Sequence, residues 1–434
     1  MQGMMAFENA PPLAAPLRFF LTAPLFAVLA GLLLALGGPE IVASRWTPGA
    51  LAVTHLLTVG FMLQVMLGAL IQILPVVAGA NLQHPLGVAR VAHLGLSAGA
   101  LLLAGGFYFG QPLWLGSAAL LLSLTVLIFL GATVLALRGV ESTSPTIRGL
   151  KLALVGLVGV VSLGVLLALA LAEGWAVPLL PLADLHAGWG LAGWAGVLLA
   201  ALAYVVVPMF QLTPGYPARP SWWFPLVVLA LLLMWTLGVL ADLPVVVRAS
   251  QLLAALAGIA FAWLTVRLQG KRRRARPDAT YRYWQLGLAA SILALLMLST
   301  AAVWPALSEI EGWTLGFGVL IIAGGFLPFI VGMLYKIVPF LAWLHLQECG
   351  KARVPAPAMN KLLPDVAAQR QCLAYALAFV LLLGSVLWPA GLARPAGLLF
   401  AVANAWLGWN LWSAVRRYRQ AQIDIVAKLA ALTP

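Results

Sequence analysis

Three long apolar segments of the chain end on the same pattern. It reads Ile73-Leu74-Pro75, then Val206-Val207-Pro208-Met209-Phe210, and then Ile337-Val338-Pro339-Phe340. The prolines are 133 and 131 residues apart, since they stand at positions 75, 208 and 339. A period of this length in an apolar chain predicts an internal repeat with several membrane helices per unit. The predicted units cover approximately residues 17–137, 149–267 and 281–415.

The composition indicates an integral membrane protein. Hydrophobic residues make up 63% of the chain and charged residues 9%, and the mean hydropathy is +1.03. A soluble protein of this composition could not cover its core with polar surface. We therefore expect one membrane domain over residues 1–434, without a separate soluble domain.

Twelve apolar stretches are long enough to cross the hydrocarbon layer of a bilayer, which takes about 20 residues of helix. Helices are expected because the alternating strands of a barrel are absent. The predicted spans are 17–37, 50–77, 90–109, 113–137, 149–172, 184–210, 222–242, 246–267, 281–304, 313–344, 371–388 and 394–415.

Basic residues collect on one side of the predicted spans. They follow the even-numbered spans, for example at Arg138 and Arg148 and in the run from Lys271 to Arg276, whereas the opposite loops are mainly acidic. The positive-inside rule makes the basic side cytoplasmic. We expect a multi-pass protein of a bacterial-type inner membrane, with both termini in the cytoplasm.

The net charge of +13 is also explained by membrane topology. A basic run between two spans is ordinarily a topology anchor that also contacts anionic lipid, so we expect lipid as the partner and no nucleic acid. His345 and Cys349 are four residues apart, but two ligands alone are a weak indication of a metal site. Lys336 stands near the inner end of its span, where a long side chain snorkels to the interface more often than it relays protons.

Two of the five histidines occupy corresponding places in the repeat. His55 and His186 precede their prolines by 20 and 22 residues, at the outer ends of the second and sixth spans. The other three, His84, His93 and His345, belong to the cytoplasmic ends, where a solvated histidine needs no function. An ionisable residue inside a membrane is a candidate functional residue. The alternative is structural, with both rings hydrogen-bonded to nearby backbone, to Asp184 or to Thr54.

The neighbours of the two histidines favour a haem over zinc. On an ideal helix, Gly190 and Gly193 share the face of His186, and Met62 shares the face of His55. A planar macrocycle on an axial imidazole needs small residues close to the helix backbone and soft apolar residues elsewhere. A structural zinc site would need four clustered ligands.

In these features the chain resembles subunit I of the haem-copper oxidase and nitric oxide reductase superfamily, and also the NnrS-type haem- and copper-containing membrane proteins. The resemblance lies in twelve helices, three four-helix units and a histidine heading the second helix of a unit. It implies that His55, in Val53-Thr54-His55-Leu56-Leu57, is an axial ligand of a low-spin haem. It also implies a copper-ligand role for His186.

The chain departs from that family in its histidines. The oxidase core uses six histidines on its metals, and this chain has five in total, three of them on the other side. The paired copper histidines of the seventh span are missing, and the tenth span reads Trp313-Thr314-Leu315-Gly316-Phe317 in its outer half. Oxygen reduction of the familiar kind is therefore not expected.

These observations predict a haem-binding relative of the superfamily that has at most one metal centre. One b-type haem is expected on His55, with His186 as the second ligand or a neighbouring site, and copper is left open. Two histidine ligands would favour electron transfer, with a redox protein or a quinol as partner; one ligand would leave room for a gas such as nitric oxide. Whether the chain is an enzyme stays open. The alternative is a small-solute transporter without a cofactor, for which Gly324-Gly325 and Pro328 would mark a discontinuous helix.

Overall fold

The computed structural model describes residues 7–274 and 276–432. Within these ranges the chain is helical, and no strand is found. Twelve helices are long and apolar enough to cross a membrane, which confirms the predicted number. They are α1 (Ala14–Ala43), α2 (Pro48–Ala78), α3 (Pro85–Tyr108), α4 (Pro112–Ala136), α5 (Pro145–Glu173), α6 (Leu179–Gln211), α7 (Ala218–Leu240), α8 (Pro244–Gly270), α9 (Ala279–Val303), α10 (Trp313–Cys349), α11 (Asp365–Leu387) and α12 (Pro389–Ala431).

The helix starts follow ordinary capping chemistry. Six of the twelve helices, α2, α3, α4, α5, α8 and α12, begin on a proline, which fits the first turn because its missing N–H needs no partner there. Three N-cap side chains, those of Thr47, Ser144 and Asp278, accept a hydrogen bond from an N–H of the first turn. Most connections are short, but the one between α10 and α11 takes in residues 350–364.

Nine helices form a closed ring around the other three. The ring runs α1, α3, α4, α5, α7, α8, α9, α11 and α12, and α12 packs back against α1. The enclosed helices are α2, α6 and α10, of which 78%, 56% and 78% of the apolar stretch is buried. The second helix of each predicted four-helix unit therefore lies inside. The sequence equivalence of the three units stays a prediction.

Each enclosed helix contains a segment of π-helix. The segments are Leu56–Leu63 in α2, Trp189–Gly196 in α6 and Val319–Phe326 in α10. Their first residues are 133 and 130 residues apart, close to the spacing of the prolines. A π turn takes in more residues than an α turn and is common at functional sites. The helices nonetheless stay continuous, so the discontinuous helix expected of a transporter is not found at Gly324 or Pro328.

The proline halves of the three enclosed helices surround a small central cavity. It has a volume of about 120 Å³ and an almost wholly apolar lining, to which Met66, Leu198 and Phe340 contribute. We name the other end of the bundle, where α2, α6 and α10 begin, the histidine end. Both His55 and His186 lie there.

Candidate functional site

The structure brings His55 and His186 together. Their ring centroids are 6.3 Å apart and their planes differ by 21°, although the residues are 131 positions apart in the sequence. Both rings are half-buried. The two imidazoles are therefore neighbours at one end of the bundle, close enough to be considered as ligands of one group.

The backbone of α2 orients the ring of His55. Its Nδ1 lies 2.8 Å from the carbonyl oxygen of Leu51, one helical turn earlier. The ring of Phe107, at the end of α3, lies beside it with the centroids 5.0 Å apart. Because a carbonyl oxygen only accepts, Nδ1 donates, and Nε2 is left as the unprotonated nitrogen.

His186 is oriented in the same way, but by a neighbouring helix. Its Nδ1 donates to the carbonyl oxygen of Val160 in α5 over 3.0 Å. Gly164, one turn further along α5, makes room for the ring, since a Cβ there would lie 2.9 Å from His186 Cε1. The imidazole is therefore fixed in orientation and in tautomer, with Nε2 again the free nitrogen.

Neither Asp184 nor Thr54, the two residues named in the structural alternative, bonds to a histidine ring in the part of the chain that the structure describes. Asp184 instead forms an ion pair with Arg45, with 2.7 Å between Oδ1 and Nη1. Nearby backbone does accept from both histidines, as that alternative proposed, but only through Nδ1. Neither Nε2 atom makes a hydrogen bond to any residue that the structure describes.

The separation of the two rings matches that of two ligands on one metal. An imidazole nitrogen binds a metal at about 2.0–2.1 Å, and the ring centroid lies about 1.1 Å behind the nitrogen, so two imidazoles on opposite sides have centroids about 6.3 Å apart. A second ring nitrogen held by a backbone carbonyl is also the usual support of a metal-binding histidine. The ring centroids of His55 and His186 have this same separation, 6.3 Å.

The donor set is too small for a structural zinc site. Among the residues described, no group of three or more His, Cys, Asp and Glu side chains could hold a metal ion. Haem iron needs only one or two axial ligands, because the porphyrin supplies the other four nitrogens. The two imidazoles satisfy that requirement.

The surroundings of His55 are apolar on the side of α3 and α4. Beside His55 and Phe107 lies a cluster of buried residues from α3 and α4, namely Leu103, Leu115 and Ala118. Val59, one turn below His55, packs against this cluster. Met62 is buried in the main core, whereas Met66 lines the central cavity. Apolar walls suit the faces and edges of a porphyrin.

Gly190 and Gly193 serve the packing of helices in this structure. A Cβ on Gly193 would lie 2.9 Å from Leu232 of α7, and its backbone lies against Gly156 of α5. A Cβ on Gly190 would meet Val160 at 3.0 Å. Both glycines fall within the π-helical segment of α6, so the 3.6-residue spacing that placed them on the face of His186 does not apply.

The three remaining histidines lie apart from this pair. His84 is exposed, in the connection between α2 and α3. His93 is bonded to Thr22 over 2.8 Å. His345 is 2.8 Å from the Tyr418 hydroxyl and 3.6 Å from Cys349 Sγ, without the further ligands that a metal would need.

Lys336 also has a structural partner. Its Nζ lies 2.7 Å from Oδ2 of Asp278, a buried carboxylate that also pairs with Arg274 and caps α9 through the Tyr281 N–H. Burial raises the pKa of Asp278, but the hydrogen bond and charge of Lys336, with those other donors, outweigh it and hold the pKa below its usual value. Lys336 therefore ties α10 to the start of α9.

Sequence reasoning missed the features that orient the pair. Val160 and Gly164 act from another helix, and only the series Gly156, Gly159 and Gly164 in α5 indicated a close helix contact there. The Arg45–Asp184 ion pair, which joins the segments leading into the two histidines, had no sequence signal beyond opposite charge.

A scan of the chain against protein-family models finds no match, and a search among curated proteins finds no relative. The function of the chain has therefore to be inferred from the residues of the site.

Proposed function

We propose that this protein binds one b-type haem at the histidine end of its membrane bundle, with His55 and His186 as the two axial ligands. The observation that carries the proposal is the near-parallel pair of imidazoles with centroids 6.3 Å apart. Both rings are already oriented by backbone carbonyls, so little conformational entropy would be lost when the ligand binds.

The proposed ligand set favours electron transfer over gas binding. A haem supplies one-electron chemistry at its iron, and two imidazole ligands leave no open position for nitric oxide. The chain's own contribution is to hold both imidazoles in the tautomer that leaves Nε2 unprotonated, and to place His55 beside Phe107 and the apolar side chains of α3 and α4. We therefore propose a role as an electron carrier or redox subunit.

A distant relation to the haem-copper oxidase scaffold is part of the proposal. It is supported by the ring of nine helices around α2, α6 and α10 and by the π-helical segments that recur near the predicted period. The ligand pattern differs from that family, because the histidines of the second and sixth spans would here share one iron. Copper at this pair is the competing assignment, and two imidazoles also suit that metal.

The visible spectrum and metal content of the purified protein test the proposal. We expect about one iron per chain and a reduced-minus-oxidised spectrum typical of a low-spin haem. His55→Ala and His186→Ala should each lower haem retention at least tenfold. His93→Ala is the matched control, because this half-buried membrane histidine bonds to Thr22 and should retain the wild-type spectrum. A colourless, folded wild-type protein would refute the proposal.

Rescue with free imidazole separates ligation from structural damage. His186→Gly leaves a gap beside Gly164 that imidazole can enter, and the low-spin spectrum should then return in proportion to the added imidazole. Without imidazole the same variant should bind carbon monoxide, which the six-coordinate wild type should bind poorly. If His186→Gly retained a six-coordinate spectrum without imidazole, His186 would not be the second ligand.

A second candidate function is transport of a small solute, and a large cavity favours it. The cavity has a volume of about 550 Å³ and extends from the histidine end between α6 and α10. A pigment-free protein that moves a solute across vesicle membranes would support transport. The continuous course of all twelve helices gives that candidate less support.

A further inference from the structure

The large cavity is separate from the histidine pair. Ala187, Gly188 and Leu191 line it on one face of α6, whereas His186 is directed to Val160 and Gly164 of α5. Its volume of about 550 Å³ falls within the range of about 300–1,000 Å³ that ligand pockets occupy. Neither histidine lines the cavity, so an occupant of it would be separate from any haem.

The cavity is long and has a polar mouth. On α8, lining residues recur every three or four positions from Arg248 through Gln251, Ala254 and Gly258 to Ala262. At the helical rise this face is about 21 Å long. That length exceeds the depth of about 15 Å that one leaflet contributes to a hydrocarbon layer of about 30 Å. The cavity can therefore take an acyl chain over its whole length.

The walls become apolar below the mouth. The deeper lining is aromatic and aliphatic and includes Leu232, Leu295, Phe261 and Phe329. A small polar solute would leave its hydrogen-bonding groups unsatisfied among these residues. The lining thus favours a hydrocarbon occupant.

The mouth carries an excess of positive charge. Arg45 is paired with Asp184, but Arg248 makes only a hydrogen bond of 3.4 Å to the Pro244 carbonyl, and no carboxylate that the structure describes forms an ion pair with it. An acidic headgroup at the mouth would supply that missing partner, and a carboxylate or phosphate would pair with the guanidinium.

We infer that the cavity between α6 and α10 binds a long-chain amphiphile with an acidic headgroup. Its head pairs with Arg248, and its chain lies along the small residues of α8. The same chemistry is found in a free fatty acid and in an anionic phospholipid of the surrounding leaflet. This site is independent of the proposed haem, because neither histidine lines it.

Native mass spectrometry of the whole protein in detergent, titrated with palmitate, tests the inference. Arg248→Gln should weaken palmitate binding about tenfold, the effect of losing one charge-assisted hydrogen bond, and should leave hexadecanol binding unchanged. Arg219→Gln is the matched control, because Arg219 is exposed and does not line the cavity.

A second pair of variants tests the position of the chain. Ala254→Phe fills the cavity and should abolish palmitate binding. Leu253→Phe, at a side chain that is 50% exposed on the outside of α8, should leave it intact. The midpoint of thermal unfolding checks that each variant is folded, and bound palmitate should raise that midpoint in the wild type.

The titration also identifies the source of the acidic chain. Binding of palmitate supports a fatty acid, and binding of phosphatidylglycerol in place of palmitate supports a phospholipid. Failure of both to bind, or equal binding by the wild type, Arg248→Gln and Ala254→Phe, would overturn the inference. His55→Ala should not affect either titration, so the outcome is distinguishable from failure of the haem proposal.

Discussion

Gly164 offers the sharpest test of how His186 is held, because it touches the ring without being a ligand. In Gly164→Ala the new Cβ would lie 2.9 Å from Cε1 and 3.4 Å from Nδ1 of His186. Carbon atoms in ordinary contact are about 3.5–4.0 Å apart, so the ring must move by about 0.6 Å or more. The hydrogen bond to Val160, now 3.0 Å, then approaches the limit of useful geometry.

The expected effect is a loss of haem affinity without a loss of fold. Removing the support of a metal-binding histidine typically costs about 10–100-fold in affinity. We therefore expect Gly164→Ala to bind haem about 10–100-fold more weakly, as measured by titrating haem into the detergent-solubilised apoprotein. A shift from a low-spin toward a high-spin spectrum should accompany the loss.

Gly131→Ala is the matched control. Gly131 lies within α4, and a Cβ there has nothing within 4 Å. This variant should bind haem like the wild type. If Gly164→Ala also bound haem like the wild type, with the same spectrum, the assignment of His186 as a ligand oriented by α5 would be refuted.

Three further predictions concern stability, each measured as thermal unfolding in detergent. Arg45→Gln should lower the free energy of unfolding by less than about 1 kcal/mol, because the side chains of its ion pair with Asp184 are 36% and 43% exposed. High salt should narrow the difference in stability between this variant and the wild type. Asp278→Asn should cost about 1–3 kcal/mol at pH 7 by leaving Lys336 without its carboxylate. Gln371→Leu should cost about 1–3 kcal/mol, because the buried amide accepts from two tyrosines and donates to the Ala403 carbonyl.

The Asp278 prediction has a defined pH dependence. The pKa of Asp278 is depressed in the folded protein, so its contribution is present above the unfolded pKa of about 3.9 and is lost as the pH falls through the folded value. Wild type and Asp278→Asn should therefore differ in stability at pH 7, and this difference should shrink as the pH falls below about 4. A stability difference that was as large at pH 3 as at pH 7 would contradict this assignment of charge.

Controls for the other two predictions lie on the surface. Gln420→Leu removes an exposed amide that bonds only to Asp424, and it should change stability far less than Gln371→Leu. For Arg45→Gln, a cost well above 1 kcal/mol that salt did not alter would show a role beyond the ion pair.

The membrane spans could be predicted from sequence because hydrocarbon thickness fixes their length. Differences are found where the chain leaves the apolar layer. The twelfth span was expected over 394–415, but α12 continues to Ala431, because Tyr418 and Ile425 pack against Leu346 and Leu362. A scan for apolar stretches cannot detect an amphipathic extension of this kind.

The candidate site was predictable only in part. Matching positions in two predicted repeat units indicated His55 and His186, and their ring centroids lie 6.3 Å apart. The orientation of their rings depends on Val160 and Gly164, which contact His186 only when α5 packs on α6. The π-helical segments have no such sequence signature, so the spacing of an ideal α-helix does not describe where Gly190 and Gly193 lie relative to His186.

The π-helical segments have a consequence for how this architecture tolerates insertions and deletions. Each segment divides an enclosed helix into a first portion and a second portion, and the second portion carries the proline. In α2 and α6 the first portion carries the histidine. Deleting one residue within 56–63 would rotate the first portion of α2 about the helix axis by about 100° relative to the second, and it would shorten the helix by about 1.5 Å. An insertion or deletion in the segment thus changes the rotation of the first portion about the helix axis relative to the second. The direction of His55 can change in this way while Pro75 and its surroundings keep their orientation.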